Sequence, residues 1–434
     1  MKRFLSFVKK QSAARLIAFG FLAVILAGTL LLLLPISVRD GVSLNFLDAL
    51  FTATSATCVT GLVVVDTYDT FSVFGRVVIA VLMQAGGLGV SSIGIGLMVA
   101  AGRKIGFKSR LLAKEALNVD SFSGIIRLVK SILLLTLGFE LLGALLSFCV
   151  FVRDYPLATA AGVSIFHSIA AFNNAGFDVM GGFSSLSAYR GNIALNLITC
   201  MLIILGGIGF PQMLDIAKKK SFKKLTLQTK AVLSTTAALI TGGALLIYFT
   251  EDVGALSAFF TSVTARTAGF STFDMGSLSN AGIIVVCLLM FVGASPGSTG
   301  GGVKTTTFFA LTQSLRSAVQ NHRYSSFRRT IPATDIHQAY LLVLIGLMSI
   351  FTGTFLICAL EPGFTLSQVL FEVVSAYSTT GLSTGITTGL CSASRVVIII
   401  LMYFGRIGGF TLISVWAVRT KPDIRYTKES ITIG

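Results

Sequence analysis

The sequence predicts an all-α polytopic membrane protein built from four repeats, each with a membrane span, a re-entrant loop and a second span. Three observations lead to this fold class: an apolar composition, eight long apolar windows, and four copies of a motif that ends in glycine. Apolar residues make up 54% of the 434 residues and charged residues only 12%. Ordinary soluble proteins carry about 25% charged residues, so this chain belongs in a lipid bilayer.

Eight apolar windows reach the ~20 residues that a helix needs to cross about 30 Å of hydrocarbon. They are 16–38, 77–102, 131–152, 191–214, 231–250, 275–303, 336–360 and 396–418. Four more polar stretches alternate with these windows, near 49–65, 155–177, 253–273 and 363–390. Hydropathy alone therefore allows between eight and twelve spans.

The charge distribution favours eight spans, with the four polar stretches entering the membrane and returning to the same side. The segments that then share a side with the N-terminus carry 27 Lys and Arg against 6 Asp and Glu. The opposite side carries 6 basic and 11 acidic residues, and Glu140 and Arg406 are left within the membrane. The positive-inside rule then predicts that both termini are cytoplasmic. This topology accounts for the net charge of +16, so no nucleic-acid partner is expected.

This topology divides the chain into repeats and cytoplasmic segments. The predicted repeats are 16–102, 131–214, 231–303 and 336–418. The predicted cytoplasmic segments are 1–15, 103–130, 215–230, 304–335 and 419–434. The lysines of segment 215–230 also suit contact with the anionic lipid headgroups of the bilayer.

The four polar stretches align without gaps on one glycine. They read FTATSATCVTG at 51–61, FHSIAAFNNAG at 166–176, FFTSVTARTAG at 259–269 and FEVVSAYSTTG at 371–381. A second landmark follows each glycine after 24 to 30 residues. It reads GGLG at 86–89, GGIG at 206–209, GASP at 293–296 and GRIG at 405–408. Two landmarks that recur together in all four quarters indicate internal repeats.

Each polar stretch predicts a short helix that descends into the membrane, followed by an extended segment that ends at the glycine. Non-helical backbone at membrane depth is tolerated only where it is buried in protein or lines a watery path. Four such segments around one axis would form a ring of carbonyl oxygens that replaces the hydration shell of a cation. For a single stretch, the alternative is a glycine that merely allows tight helix packing. Four stretches in register favour the pore.

The segments CVTGL, NNAGF, RTAGF and STTGL resemble the four selectivity-filter loops of the Ktr/Trk/HKT superfamily of potassium transporters, and the resemblance covers nearly the whole chain. It implies four M1–P–M2 repeats around a central pore with pseudo-fourfold symmetry. It also implies that backbone carbonyls of four filter segments coordinate K⁺. These residues are Val59, Thr60, Gly61, Asn174, Ala175, Gly176, Thr267, Ala268, Gly269, Thr379, Thr380 and Gly381. Sodium-selective plant members carry serine at the first filter glycine, so Gly61 favours potassium.

The sixth window contains GASPGSTGGGVKT at 293–305, where Pro296 stands among five glycines. An ordinary continuous helix is not expected here, because proline removes a backbone donor and glycine is a poor helix former. The resemblance implies an intramembrane loop that gates the pore, and a plain helix kink is the alternative. The predicted gate consists of Gly293, Ala294, Ser295, Pro296, Gly297, Ser298, Thr299, Gly300, Gly301, Gly302, Lys304 and Arg406.

Arg406 lies in the middle of the eighth window. An arginine at bilayer depth costs at least about 2.5–3.5 kcal/mol on insertion scales, so it should face the pore or a partner. We interpret it as a barrier to cations that works with the gate. The alternative is a structural pair with Glu140 or with loop carbonyls. For Glu140, a structural hydrogen bond and a gating contact remain equally open.

Four acidic residues follow the first three filter segments. They are Asp66, Asp69, Asp178 and Asp274. Acids at a pore entrance can concentrate cations, and the alternative is that these four are ordinary loop acids.

By resemblance, the chain is a KtrB-type membrane subunit in a bacterial inner membrane that takes up potassium through a channel-like pore. The resemblance also implies sodium dependence, a homodimer, and gating by a cytosolic KtrA-like ring that binds ATP and ADP. Nucleotide would bind only that partner, and no covalent cofactor is expected. The alternative is a sodium-selective or sodium-coupled secondary transporter. No nucleophile–base or metal-ligand constellation occurs in the sequence, so we predict that the chain is not an enzyme.

Overall fold

The computed structural model describes residues 11–100, 110–112, 114, 124–321, 323–409 and 411. The first quarter contains α1 (Ala13–Leu32), α2 (Phe46–Thr57), α3 (Thr67–Thr70), α4 (Val73–Leu88) and α5 (Val90–Ala100). The second contains α6 (Ile125–Phe151), α7 (Leu157–Phe172), α8 (Ile193–Ile208) and α9 (Phe210–Lys219). The third contains α10 (Leu227–Thr250), α11 (Ala255–Thr264), α12 (Asn280–Phe291) and α13 (Thr305–Gln320). The fourth contains α14 (Ala333–Leu360), α15 (Leu366–Ser378) and α16 (Ser392–Ile407).

Short elements complete the described chain. The antiparallel strands β1 (Ser325–Ser326) and β2 (Arg329–Thr330) form a hairpin between α13 and α14, in which Ser325 pairs with Thr330. Single turns of 3₁₀ helix occupy Pro35–Ser37, Ser187–Tyr189, Phe222–Lys224, Met275–Ser277 and Ile386–Gly389.

The first helix of each quarter is a candidate membrane span. Among the described residues, α1, α6, α10 and α14 are each long and apolar enough to cross a bilayer. A short helix of 10 to 16 residues follows each of them, namely α2, α7, α11 and α15. Polar side chains begin two of these short helices, α2 and α15, and satisfy backbone N–H groups of the first turn. Asn45 accepts from the N–H of Asp48 at 2.8 Å, and Thr365 forms a capping box with Gln368.

In the first, second and fourth repeats, the second window is not the continuous helix that hydropathy predicts. In window 77–102 the helix stops at Gly89, and in window 191–214 it stops at Gly209, where α8 and α9 meet at 94°. Gly408 ends α16 in the same way. These three glycines have φ of +81°, +96° and +84°, which a right-handed helix cannot contain and which glycine adopts without strain. Hydropathy missed the breaks because glycine counts as apolar.

The short helices join the four quarters into a closed ring. Each one packs between the two long helices of its own quarter and also against the second helix of a neighbour. The cross-quarter pairs are α7 with α4, α11 with α8, α15 with α12, and α2 with α16. Because the last pair joins the fourth quarter to the first, the four units surround one axis.

The repeated apolar residues of the four stretches form the inner core. Leu62, Phe177, Phe270 and Leu382, which follow the aligned glycines, are all buried. At the start of the stretches, Phe51, Phe166 and Phe371 are also buried. In the third copy Phe259 is half-buried, and its neighbour Phe260 is fully buried instead. Packing of these side chains fixes the four short helices around the axis.

Candidate ion-binding site

The four predicted filter segments share one backbone conformation. The first residue of each has a left-handed φ, which is +51° at Val59, +55° at Asn174, +69° at Thr267 and +52° at Thr379. The glycine two residues later also has a positive φ in every copy: +92° at Gly61, +69° at Gly176, +86° at Gly269 and +93° at Gly381. A non-glycine residue in this region costs on the order of 1–3 kcal/mol and persists only when its surroundings fix it.

The hydrogen bonds of each segment explain how that conformation is held. The N–H of Thr60 donates to the carbonyl of Ser55 at 2.8 Å, and the N–H of Gly61 donates to the Ser55 hydroxyl at 3.1 Å. The fourth copy repeats both bonds, from Thr380 and Gly381 to Ser375. The N–H groups therefore point back to the short helix, and the carbonyls are free to point elsewhere.

The four segments meet at their glycines. A methyl group on Gly61 would lie 2.6 Å from the carbonyl oxygen of Ala175, and one on Gly176 would lie 2.7 Å from that of Ala268. Two further contacts of this kind, closer still, complete the ring: Gly269 with the carbonyl of Thr380, and Gly381 with that of Thr60. Each glycine thus faces the next segment, and a side chain at any of these positions would push the segments apart.

The carbonyl oxygens of this ring accept no hydrogen bond from the described residues. In the part of the chain that the structure describes, no N–H or side chain donates to the carbonyls of Thr60, Ala175, Ala268 or Thr380, all of which are buried. Buried carbonyls are almost always hydrogen-bonded. A ring of free carbonyl oxygens is the ligand set that replaces the water shell of a desolvated cation.

The glycine-rich segment 293–305, predicted to be a gate, forms a closed loop between α12 and α13. Its two ends are joined by the N–H of Gly293, which donates to the carbonyl of Val303 at 2.8 Å. The hydroxyls of Ser295 and Thr305 lie 3.0 Å apart, and Lys304 Nζ donates to the carbonyl of Gly300 at 2.6 Å. The predicted absence of a continuous helix is therefore observed across this segment.

The glycine-rich segment is anchored to the break between α8 and α9. The N–H of Ser295 donates to the carbonyl of Gly207 at 3.0 Å, and the N–H of Phe210 donates to that of Gly297 at 3.0 Å. The Thr299 hydroxyl donates to the carbonyl of Phe172 at 3.2 Å, at the end of α7. These bonds tie the third quarter to the second at the level of the filter segments.

The same segment lies directly against three filter segments. The Thr299 hydroxyl is 3.3 Å from the side-chain oxygen of Asn174. A methyl group on Gly300 would collide with the Thr267 hydroxyl, and one on Gly301 with the Thr379 hydroxyl. Glycine is required at both positions because the loop backbone approaches these side chains too closely for a Cβ atom.

Arg406 joins three quarters at one point. Its Nη1 donates to the carbonyl of Thr299 in the glycine-rich segment, and its Nη2 donates to the carbonyls of Gly86 and Gly87 at the end of α4. The contact with loop carbonyls agrees with both interpretations made from the sequence, a barrier that works with the gate and a structural pair.

Glu140 is not the partner of Arg406. Its carboxylate accepts from Gln84 at 3.2 Å and from Asn173 at 2.9 Å, and its backbone carbonyl accepts from the Ser168 hydroxyl at 2.7 Å. These bonds connect α6 with α4 and α7, immediately before the filter segment that begins at Asn174. The geometry favours a structural hydrogen-bond role for Glu140.

The four loop acids fix the chain that follows the filter segments. Asp66 accepts from the N–H groups of Tyr68 and Phe183 at 2.8 and 2.7 Å, and Asp69 accepts from that of Gly182 at 3.1 Å. These bonds join the outer loops of the first two quarters. The structure thus gives the two acids a loop-building role, which was the alternative to cation attraction.

Asp178 and Asp274 make local turns. Asp178 accepts from the N–H of Met180 at 3.0 Å, and Asp274 accepts from that of Gly276 at 2.9 Å. Burial raises the pKa of Asp178 to about 6, and the charge of Asp66 adds to this rise. These acids, too, act on their own loops.

Arg266 and Glu372 are two functional candidates that sequence reasoning missed. Both were assigned to the outer aqueous side, yet both are buried. Arg266 donates to the carbonyl of Gly293 at 3.2 Å. This bond connects the start of the glycine-rich segment to the residue that precedes the third filter segment. Glu372 accepts from the hydroxyls of Ser383 and Thr387. The sequence offered one signal for Arg266, which is its position one residue before the filter residue Thr267.

No metal centre of side-chain ligands accompanies the ring in the described residues, where no group of three His, Cys, Asp or Glu side chains is placed to hold an ion. Any cation in the ring would therefore be held by backbone carbonyl oxygens. Such sites suit hard cations of the alkali and alkaline-earth type.

Comparison with known proteins identifies relatives over the whole chain. Residues 10–254 and 252–424 match the TrkH family, described as cation transport protein. Ktr system potassium uptake protein B from Bacillus subtilis is 38% identical, over 97% of this chain and 96% of the relative. Potassium/sodium uptake protein NtpJ from Enterococcus hirae is 38% identical, over 98% of each chain. The crystal structure of the potassium transporter TrkH from Vibrio parahaemolyticus matches with a TM-score of 0.73 at 19% identity. That match covers 94% of this chain and 86% of the other, and it shows a shared fold.

Proposed function

Because the chain belongs to the TrkH family of cation transport proteins, we propose that it takes up potassium as the membrane subunit of a Ktr-type system. The membership predicted from the four loop motifs is confirmed, and so is the prediction that the chain is a transporter and not an enzyme. Potassium is proposed because relatives that cover nearly the whole chain are named potassium uptake proteins.

The observation that carries the proposal is the ring of free carbonyl oxygens at the four aligned glycines. K⁺ would pass along the axis of this ring, with carbonyls of the four filter segments in place of its water shell. The ligands are those named from the sequence, three consecutive residues in each segment that end at Gly61, Gly176, Gly269 and Gly381.

The proposed topology has eight spans and four re-entrant loops with both termini in the cytoplasm of a bacterial inner membrane. Four described helices meet the length and hydropathy of a span, and the second helix of each quarter would cross with its broken continuation. The cyclic packing of α2, α7, α11 and α15 supports pseudo-fourfold symmetry around the pore.

We assign the gate to the glycine-rich segment together with Arg406. The segment contacts three filter segments, and its interior is held by the bond from Lys304 to Gly300 and by Arg406 to Thr299. A loop held in this way would obstruct the path beneath the ring, and Lys304 and Arg406 would place two cationic groups where a cation leaves it. Opening requires the loop to move away from the axis, for which its five glycines provide backbone freedom.

Control of that gate is proposed to come from a cytosolic KtrA-like ring that binds ATP and ADP and on which two copies of this chain sit. The relative from Bacillus subtilis is named as part of a Ktr system, which supports a multi-component assembly. Sodium would act as an activating ion.

Potassium uptake by an import-deficient bacterium tests the proposal. Cells that express this chain with a KtrA-like partner should grow at low potassium, and purified protein in liposomes should carry K⁺. Gly61→Ser should weaken discrimination against Na⁺, because a side chain there meets the carbonyl of Ala175. An unchanged K⁺/Na⁺ preference in that variant, at equal protein amount, would contradict the filter assignment.

The second candidate function is a sodium-coupled secondary transporter, which the name potassium/sodium uptake protein NtpJ favours. The two mechanisms differ in stoichiometry. A coupled transporter moves K⁺ against its gradient at a fixed ratio to Na⁺, whereas a pore carries K⁺ only down its electrochemical gradient. Reversal potentials measured in liposomes with opposed K⁺ and Na⁺ gradients separate these possibilities.

A further inference from the structure

A cavity of about 480 Å³ opens between the C-terminal half of α13 and the β-hairpin, away from the ion path. Its lining includes three arginines, Arg316 from α13, Arg323 before β1 and Arg328 in the hairpin turn, together with hydroxyl and amide side chains. No Asp or Glu is among the described residues that line it. The volume falls within the roughly 300–1,000 Å³ that is typical of small-ligand pockets.

No acidic side chain among the described residues forms an ion pair with the arginines of this cavity. Within the described parts of the chain, ion pairs join Asp215 with Lys219 and Asp48 with Arg395, and none involves the three arginines of the cavity. Like charges that surround one space repel each other, and an anion between them removes that repulsion. The site therefore has the electrostatics of an anion site.

The donor set selects one class of anion. A guanidinium group presents paired N–H donors that match two oxygens of a phosphate, and it keeps its charge at every physiological pH. Ser325 and Ser326 of β1 also line the cavity and can add hydroxyl donors. Three guanidinium groups with serine hydroxyls are suited to a tetrahedral oxyanion whose oxygens each need a donor.

The hairpin that carries part of the site is held in place by aromatic packing. Phe327 stacks on Phe309 of α13, with ring centroids 6.2 Å apart and ring planes 9° apart, and Phe222 packs against it at 6.0 Å. Lys230 Nζ lies 5.8 Å from the ring of Phe327. Both turn residues, Phe327 and Arg328, have left-handed φ of +50° and +60°, which persists only where the surroundings fix it. The cavity is therefore preformed.

Two large apolar side chains of α13 are exposed beside the cavity. Leu315 and Val319, one turn apart, are 68% and 79% exposed. Arg316 is adjacent to Leu315 in the chain. Basic side chains beside exposed apolar ones on a helix are typical of the membrane interface, where the apolar groups enter the acyl region and the cations meet phosphates.

We propose that this cavity binds a phosphate group, carried either by an anionic phospholipid headgroup or by a soluble phosphate ester. Arg316, Arg323 and Arg328 hold the phosphate oxygens. The helix α13 continues directly from the glycine-rich segment. A phosphate in the cavity would therefore connect the C-terminal end of α13 to the hairpin. Occupancy would thus fix the helix that leads into the proposed gate.

Binding by the full-length protein, purified in detergent, tests this site. Short-chain phosphatidylglycerol, short-chain phosphatidylcholine and inorganic pyrophosphate are each titrated into the protein. The melting temperature and equilibrium binding are measured at each concentration. The test variant is Arg316→Ala/Arg323→Ala/Arg328→Ala. Its matched control is Lys218→Ala/Lys223→Ala/Lys224→Ala, which removes three exposed cations from another segment of the predicted cytoplasmic side. If the arginine variant does not fold, the wild type is instead modified with phenylglyoxal with and without the anion. Mass spectrometry then measures how far each of the three arginines is protected.

The expected result is saturable binding of phosphatidylglycerol or pyrophosphate by the wild type. The arginine variant should lose about tenfold or more in affinity, as expected when charge-assisted hydrogen bonds are removed. The fold-loss of affinity in the lysine control should be less than a third of the fold-loss in the arginine variant. Bound anion should protect the three arginines from phenylglyoxal. Phosphatidylglycerol without pyrophosphate binding identifies a lipid headgroup, and pyrophosphate binding identifies a soluble phosphate ester.

Three results would overturn the proposal. One is equal loss of affinity in the arginine and lysine variants, which indicates diffuse charge attraction. Another is modification of the three arginines at the same rate with and without anion. The third is the absence of saturable binding of either anion to the wild type, which is the outcome expected if an acidic protein surface occupies the cavity.

Discussion

Arg406 in α16 donates from Nη1 to the carbonyl oxygen of Thr299 in the glycine-rich segment, and its Nη2 reaches the carbonyl of Gly86 at the end of α4. One side chain thus locks the loop of the third quarter to helices of the first and the fourth. If this loop obstructs the ion path, Arg406 stabilises the closed state. Each charge-assisted hydrogen bond of this kind contributes about 1.5–3 kcal/mol.

Arg406→Ala should therefore increase potassium uptake in the absence of a cytosolic partner. Loss of one such bond shifts the balance between closed and open states by about tenfold. The measurement is the initial rate of K⁺ or Rb⁺ uptake, normalised to protein in the membrane. Arg406→Lys is the matched control, because it keeps the charge with fewer directed donors. Its uptake rate should lie between those of the wild type and Arg406→Ala. Partner-free uptake equal to the wild type would remove Arg406 from the gate.

Gly176→Ala should strongly reduce uptake while the protein remains folded. The new methyl group would lie 2.7 Å from the carbonyl oxygen of Ala268, and the φ of +69° disfavours any side chain. We expect uptake to fall by about tenfold or more, since overpacking costs about 1–3 kcal/mol. Gly162→Ala in α7 is the control, because nothing lies within 4 Å of a methyl group there. Normal uptake by Gly176→Ala would contradict the proposed path along the ring.

The sequence allowed the ring to be predicted because its requirements are local. A glycine that must face a neighbouring backbone leaves a mark at one position in each repeat, and Gly61, Gly176, Gly269 and Gly381 align without gaps. The residue two positions before each of these glycines also has a left-handed φ, but its residue type does not predict this. Val59 and Asn174 share a left-handed conformation although they have no chemistry in common, since the conformation is imposed by packing and not by the side chain.

Other features could not be read from hydropathy and charge. The positive-inside count assigned Arg266 and Glu372 to water, and each is buried with hydrogen-bond partners in its own quarter. Gly89 and Gly209 ended helices that their apolar windows predicted to be continuous. For the two charged residues the outcome depends on tertiary contacts, and a one-dimensional pattern does not contain these contacts.

Asn173→Ala should destabilise the protein, because the two amide hydrogens of Asn173 lie within hydrogen-bond distance of three acceptors. Its Nδ2 is 2.7 Å from Gln84 Oε1, 2.9 Å from the Glu140 carboxylate and 2.9 Å from the carbonyl of Ile169. Without it, buried acceptors lose their donor, which costs about 1–3 kcal/mol. The melting temperature in detergent measures this change. Asn173→Gln, which keeps the amide on a longer side chain, should lose less. Equal melting temperatures for Asn173→Ala and the wild type would show that the network adds no stability.

Asp215 predicts a pH dependence of stability on the proposed cytoplasmic side. Partial burial alone would raise its pKa, but hydrogen bonds from Lys219, Thr226 and Thr229 outweigh burial and lower the pKa of Asp215 to about 2. An unfolded aspartate has a pKa of about 3.9. The carboxylate therefore stabilises the fold fully above that value, by on the order of 2 kcal/mol, and the contribution disappears as the pH falls toward 2.

Asp215→Asn should accordingly lower the melting temperature between about pH 5 and 7, where the carboxylate of the wild type is fully ionised. The difference from the wild type should shrink below about pH 4. The contacts at stake connect α9 to the start of α10: Asp215 accepts from the Thr226 N–H at 3.0 Å and from the Thr229 hydroxyl at 2.8 Å. Asp252→Asn, at an exposed aspartate outside this cluster, is the control and should leave the melting temperature unchanged. A difference between Asp215→Asn and the wild type that stays constant from pH 7 to about pH 3 would show that the ionised carboxylate is not its source.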